Sequence, residues 1–190
     1  VGNEIIQFEI IELQEDGNYI IKNLLRGLFG TEKYIETHTE GEDFIFINKG
    51  LRSKTFDDGK IGITTQYKAV SIGTDFYSAD TVNYTITGKN LKPLPPVHLK
   101  IDKLNKKITW KRRERGYAGW RDGVDLPIID KVEKYRIKIS QNDTILVNEE
   151  IISSLEYIYS DDISGEIKVS VCQIGDIIGD GDYCEKSFTI

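Results

Sequence analysis

Methionine is absent from the 190 residues, and the chain holds only two cysteines, two histidines, two tryptophans and four prolines. Each scarcity excludes something. Cys172 and Cys184 allow at most one bridge, so no disulfide framework holds this chain together. They flank the last hairpin and are expected to lie across its ladder as two reduced, partly buried thiols, with a cross-strand bridge as the alternative. His38 and His98 are far apart, and neither has a metal-binding spacing or a cysteine nearby. They read as a partly exposed helix-end histidine and a strand histidine. Apolar runs stop at four or five residues, far short of the ~20 that cross a bilayer. Val1-Gly2-Asn3-Glu4 has neither the basic start nor the apolar segment of a signal peptide. Without methionine, the chain is expected to be a mature product or a section of a longer polypeptide.

Catalytic patterns are also missing. There is no Gly-x-Ser-x-Gly elbow. Arg26-Gly27-Leu28-Phe29-Gly30-Thr31 lacks the Gly-Lys-Ser/Thr ending of a phosphate loop. No carboxylate pair stands in the apolar setting that would raise an acid's pKa for glycoside hydrolysis. The expectation is a protein with no catalytic residue, no cofactor and no metal. Gly175-Asp176-Ile177-Ile178-Gly179-Asp180-Gly181-Asp182 is acidic, but it lacks the ordered ligands of a calcium loop and reads as a plain loop.

What the chain does have is 39% hydrophobic and 29% charged residues, enough for a packed interior. The net charge of −6 argues against nucleic acid as a general partner. The charge is uneven. Pro93 to Ile137 holds 12 basic and 6 acidic residues, whereas Lys138 to Ile190 holds 3 and 11. A domain built from both would have a basic and an acidic side, able to pair with a neighbour or with itself.

The pattern along the chain is β-rich. Ile5 to Ile11 reads as a strand, Asp16-Gly17-Asn18 as a hairpin turn, and Tyr19-Ile20-Ile21 as the return. Thr31 stands where an N-cap belongs, which predicts one short helix over Glu32–His38, stopped near Gly41. Asp43–Asn48, Ile61–Ile72 and Val82–Thr87 read as further strands. Leu91-Lys92-Pro93-Leu94-Pro95-Pro96 carries three of the four prolines. It marks a boundary between domains at 1–92 and 93–190.

Beyond that boundary, strands are expected at Val97–Leu104, Lys107–Lys111, Lys134–Ser140, Thr144–Asn148, Glu156–Tyr159, Glu166–Ile174 and Tyr183–Thr189. That spacing predicts a sandwich of the fibronectin type III variety, with Trp110 in its core. Tyr135, Ile137 and Ile139 would face inward from one strand, and Ile167, Val169 and Val171 from another. The fold class is all-β with one short helix.

The stretch from Trp110 to Gly123 contains both tryptophans and the densest cations. Arg112, Arg113, Arg115, Tyr117, Trp120 and Arg121 form a candidate contact surface for phosphate, sugar or a protein neighbour, because arginine and aromatic residues dominate interface anchors. The competing reading folds Trp120 back as a lid. It stacks the arginines on the aromatics or pairs them with Glu114, Asp122 and Asp125.

Three blocks together resemble a known family. They are Asn18-Tyr19 through Leu24-Leu25-Arg26-Gly27-Leu28-Phe29-Gly30-Thr31-Glu32, Thr87 through Leu99, and Thr109-Trp110-Lys111-Arg112-Arg113-Glu114-Arg115 with Trp120, Asp122-Gly123 and Asp125-Leu126-Pro127. They are similar to the C-terminal region of the baseplate hub ("megatron") protein of gene transfer agents and siphophage-like tails. The resemblance implies a phage-tail hub-like β domain followed by a fibronectin-like one, in a non-enzymatic virion component. Its partners would be other tail and baseplate proteins and its own trimer, and its place the tail of a phage-like particle made in the bacterial cytoplasm. The family's glycoside-hydrolase-like barrel has no counterpart in this chain, so no catalytic residue carries over. The alternative from a different class is a carbohydrate-binding module that recognises an envelope glycan through Tyr117 and Trp120.

Overall fold

The computed structural model describes residues 1–116, 123, 127–160 and 162–190. Tyr117, Trp120 and Arg121, with Asp122 and Asp125, lie outside the described residues.

The chain is all-β, and its packed core lies in the C-terminal part. There β5 (Val97–Asp102), β6 (Lys107–Lys111) and β9 (Glu156–Ile158) form one antiparallel sheet. Facing it are β7 (Lys134–Gln141), β8 (Thr144–Ile152), β10 (Glu166–Gly175) and β12 (Cys184–Thr189), in the order β8-β7-β10-β12. A short β11 (Gly179–Asp180) pairs with the end of β10. Three strands against four, with β6 and β7 on opposite sheets, is the fibronectin type III-like arrangement that the spacing predicts.

Alternation explains the core. Tyr135, Ile137 and Ile139 are fully buried on β7, and Ile167, Val169 and Val171 are buried opposite them on β10. Each such side chain contributes about 1.5–3 kcal/mol of transfer free energy. Leu99, Ile108 and Trp110 close the layer from the other sheet. The Trp110 ring meets Tyr135 edge-on at 5.4 Å. Asn142 and Asp143, at φ 48° and 62°, take the two left-handed positions of the tight turn joining β7 to β8.

The cysteines are two free thiols, as expected, but they do not face each other across the ladder. Cys184 stands opposite Val171. Neighbouring residues on a strand point to opposite faces, so Cys172 lies on the other side of the sheet, and both thiols are free.

The first 92 residues are built differently. β1 (Gln7–Leu13) and β2 (Tyr19–Leu25) form the predicted hairpin. Its turn is held by the Asn18 amide donating to Asp16 Oδ1 at 2.9 Å, with Gly17 at φ 84°. β3 (Thr64–Lys68) and β4 (Thr81–Thr85) form a second hairpin, both strands shorter than the sequence pattern suggests. In residues 1–92 only Glu4, Gly27, Ile86 and Gly88 are buried. This part has almost no apolar core of its own.

Two expected elements are absent. The helix over Glu32–His38 is a single 3-10 turn, Glu32–Tyr34. Thr31 does not cap it, because its hydroxyl donates to the Leu28 carbonyl at 2.7 Å and accepts the Ile5 amide at 3.0 Å. Asp43–Asn48 joins no strand ladder. Its Phe44 and Phe46 rings instead sit 6.4 and 6.1 Å from Phe8. The strand pattern is present in the sequence, but the segment packs on Phe8 of β1 through its side chains and pairs with no strand.

Candidate functional site

Of the arginine-rich stretch, Arg112, Arg113 and Arg115 are described, and all three engage carboxylates of the same chain. Arg115 forks onto Asp130 with contacts of 2.9 and 3.1 Å. Both side chains are largely buried. Arg113 reaches back to Glu32 in the first part of the chain. Pairs as exposed as this one are worth only about 0.2–1 kcal/mol, so it positions more than it stabilises. The almost buried Arg112 places Nε 3.8 Å from Glu133, which also accepts the Tyr135 hydroxyl at 2.7 Å. These partners differ from those the sequence suggests. Glu114 accepts the backbone amides of Arg115 and Ile129.

Part of the uneven charge of the two segments is paired within the fold. Arg136 donates to Asp180 at 3.0 and 3.1 Å, and Lys107 pairs with Glu156 at 3.1 Å. The carboxylates of the 175–182 loop serve separate partners. Asp176 accepts the Lys131 amide, Asp180 binds Arg136 and Tyr183, and Asp182 binds Lys33 and Lys92. Among the described residues no group of three His, Cys, Asp or Glu side chains could hold a metal ion. Millimolar calcium is therefore expected to leave the melting temperature unchanged in differential scanning calorimetry, since binding to the folded state would raise it.

A polar centre that the sequence reading passed over organises residues 1–45. Glu4 is buried, and its carboxylate accepts Arg26 Nε at 2.8 and 3.0 Å and Nη2 at 2.6 Å. It also accepts the Gly27 amide at 2.6 Å and lies 2.6 Å from His38 Nε2. The other ring nitrogen, Nδ1, lies 2.6 Å from Glu42 Oε2. A carboxylate only accepts, so both ring nitrogens must donate and His38 is an imidazolium. The Arg26 guanidinium, helped by His38 and the Gly27 amide, holds Glu4 down at about 2 against the opposing effect of burial. Glu42 first, and then Glu4, push His38 above its ordinary value. Two backbone bonds reinforce the centre, Leu28 amide to Ile5 carbonyl at 3.0 Å and Gly2 amide to Asp43 carbonyl at 3.1 Å.

The signs give a window. A raised His38 stabilises the fold below about pH 6.5, and that contribution is lost as pH rises through its folded value. A lowered Glu4 stabilises above about pH 4.5, and that contribution is lost as pH falls toward 2. Residues 1–45 should therefore resist proteolysis best at about pH 5–6. His38→Gln, which cannot titrate, should remove the alkaline limb of that profile.

The sequence held a partial signal for this centre, since Arg26-Gly27 bends beside a glycine and His38 and Glu42 are four apart. It gave no reason to bring Glu4 to them. Residues 1–45 match the family described as Rcc01698-like, C-terminal. Glu4, Arg26, Gly27, His38 and Glu42 all fall inside that span, so the Rcc01698-like segment coincides with the unit that the buried carboxylate ties together. No curated protein matches the chain. Among solved structures, the crystal structure of the rat CD45 extracellular region, domains d3–d4, is similar at 12% identity. The match covers 97% of this chain and 94% of that one, with a TM-score of 0.39.

Proposed function

We propose that this chain is a non-enzymatic structural module of a phage-like tail baseplate, the C-terminal region of a gene-transfer-agent hub. It acts by assembling with other tail proteins and with copies of itself in a trimer, at the distal end of the particle, where it meets the cell envelope. The observation that carries this reading is the bare apolar surface of the first hairpin. Ile11, Leu13 and Tyr19 are 56, 65 and 64% exposed on one face, and Ile10, Ile20 and Leu24 are exposed on the other. Phe44, Ile45, Phe46 and Ile47 extend the surface. An isolated two-stranded hairpin is marginal in water, and contiguous apolar patches of this kind mark protein contacts. The Rcc01698-like match covers the hairpin with Phe44 and Ile45, and the three sequence blocks resembling baseplate hubs support the reading further.

The test is made in a bacterium that produces the particles, with Ile11→Glu and Leu13→Glu introduced together in the native gene. Particles lacking completed tail tips in electron micrographs, with the sandwich of the purified variant still folded by circular dichroism, are the expected result. Normal tails and normal delivery would refute the assembly role.

A further inference from the structure

Where the 29–34 segment and the 89–94 segment meet the loops of the sandwich, a cavity of about 350 Å³ opens to solvent. Its wall carries Lys33, Lys89, Lys92 and Arg115. Asp182 lies between two of these, 3.1 Å from Lys33 Nζ and 2.7 Å from Lys92 Nζ. Arg115 is committed to Asp130. Against Asp182 and Asp130, the four cations leave two positive charges in excess. Lys89 is exposed and makes no ion pair among the described residues. Asn90 also lines the wall, and its side-chain amide is both a donor and an acceptor for hydroxyl groups.

Phe29 stands at the rim, 67% exposed and held at φ 56° and ψ 33°. A bulky residue in the left-handed region is an outlier that only its surroundings can maintain. Here the bonds from the Leu28 amide to Ile5 and from the Thr31 amide to Leu28 grip the chain on both sides. An exposed aromatic side chain thus stands beside a cationic wall.

We propose that this cavity binds an acidic saccharide, a sugar ring bearing a carboxylate. The lysines attract the anion, Asn90 bonds the hydroxyls, and Phe29 stacks on the apolar C–H face of the ring. Ligand cavities run from about 300 to 1,000 Å³, so this one suits one or two rings. The fixed negative charge of Asp182 weighs against more highly charged groups such as phosphate. The site does not depend on the assembly role, because its wall contains none of the bare apolar residues of the first hairpin.

The test is a titration of the ¹⁵N-labelled protein with D-glucuronate, methyl glucoside and inorganic phosphate, at low salt. Glucuronate is expected to give saturable shifts at the amides of residues 29–34 and 89–92. Methyl glucoside should bind at least about fivefold more weakly. Lys89→Gln should weaken glucuronate by about fivefold or more without changing the melting temperature. Phe29→Gly, in which glycine takes the left-handed φ without strain, should also weaken glucuronate. No saturable shift with glucuronate, equal binding of the neutral sugar, or unchanged affinity in Lys89→Gln would overturn the site. Tighter binding of phosphate than of glucuronate would overturn the saccharide.

Discussion

Replacing Glu4 by alanine is expected to release residues 1–45 while the sandwich stays folded. The carboxylate accepts from Arg26, from the Gly27 amide and from His38, and it is buried. Its removal leaves three donors, two of them cationic, converging on an emptied site. Breaking a buried charge pair by deleting one partner costs about 3–5 kcal/mol. Water reaching the partly exposed Arg26 puts this case toward the lower end. In a segment with so little buried apolar surface, nothing compensates a loss of that size. Hydrogen exchange followed by mass spectrometry separates the outcomes. The Gly27 and Leu28 amides should exchange at near unfolded rates, while β7 and β10 keep wild-type protection. Glu4→Gln, which keeps one acceptor and loses the charge, should fall between. Unchanged protection in Glu4→Ala would show that the apolar contacts of Phe8 with Phe44 and Phe46 hold this segment instead.

Trp110→Ala is expected to destabilise the sandwich by about 3–5 kcal/mol, because it empties the largest volume in the core. Urea denaturation followed by far-UV circular dichroism measures it. Trp110→Phe separates packing from polarity. Trp110 Nε1 has no hydrogen-bond partner among the described residues. The phenylalanine variant therefore gives up volume and no hydrogen bond, and should cost clearly less than the alanine variant. A loss below about 1 kcal/mol for Trp110→Ala would contradict the buried position of β6.

The two halves of the chain differ in how legible they were. In the sandwich, period-two alternation with β-branched and aromatic residues is a local signal, and burial on both sheets follows from it. Tyr135, Ile137, Ile139, Ile167, Val169 and Val171 are buried as their spacing predicts. In the first part, local signals were outcompeted. Thr31 has the chemistry of an N-cap, but its hydroxyl is drawn to Leu28 and Ile5. Asp43–Asn48 has the composition of a strand, but a strand needs a partner, and composition does not supply one. The candidate contact residues followed the same logic. A run of arginines is visible in the sequence, whereas their partners come from segments distant along the chain, Glu32, Asp130 and Glu133.

By itself, then, the sequence determined the all-β class, the positions of the sandwich strands along the chain, the core tryptophan and the first hairpin with its Asp-Gly turn. These depend on neighbours within a few residues. Tertiary structure alone decided that Glu4 is buried against Arg26 and His38, that the thiols lie on opposite faces, and that Lys33 and Lys92 share Asp182. The physical reason is common to all three. A charge or a thiol is specified by what stands within about 4 Å of it in space, and these partners are brought together by the fold and not by the order of the chain.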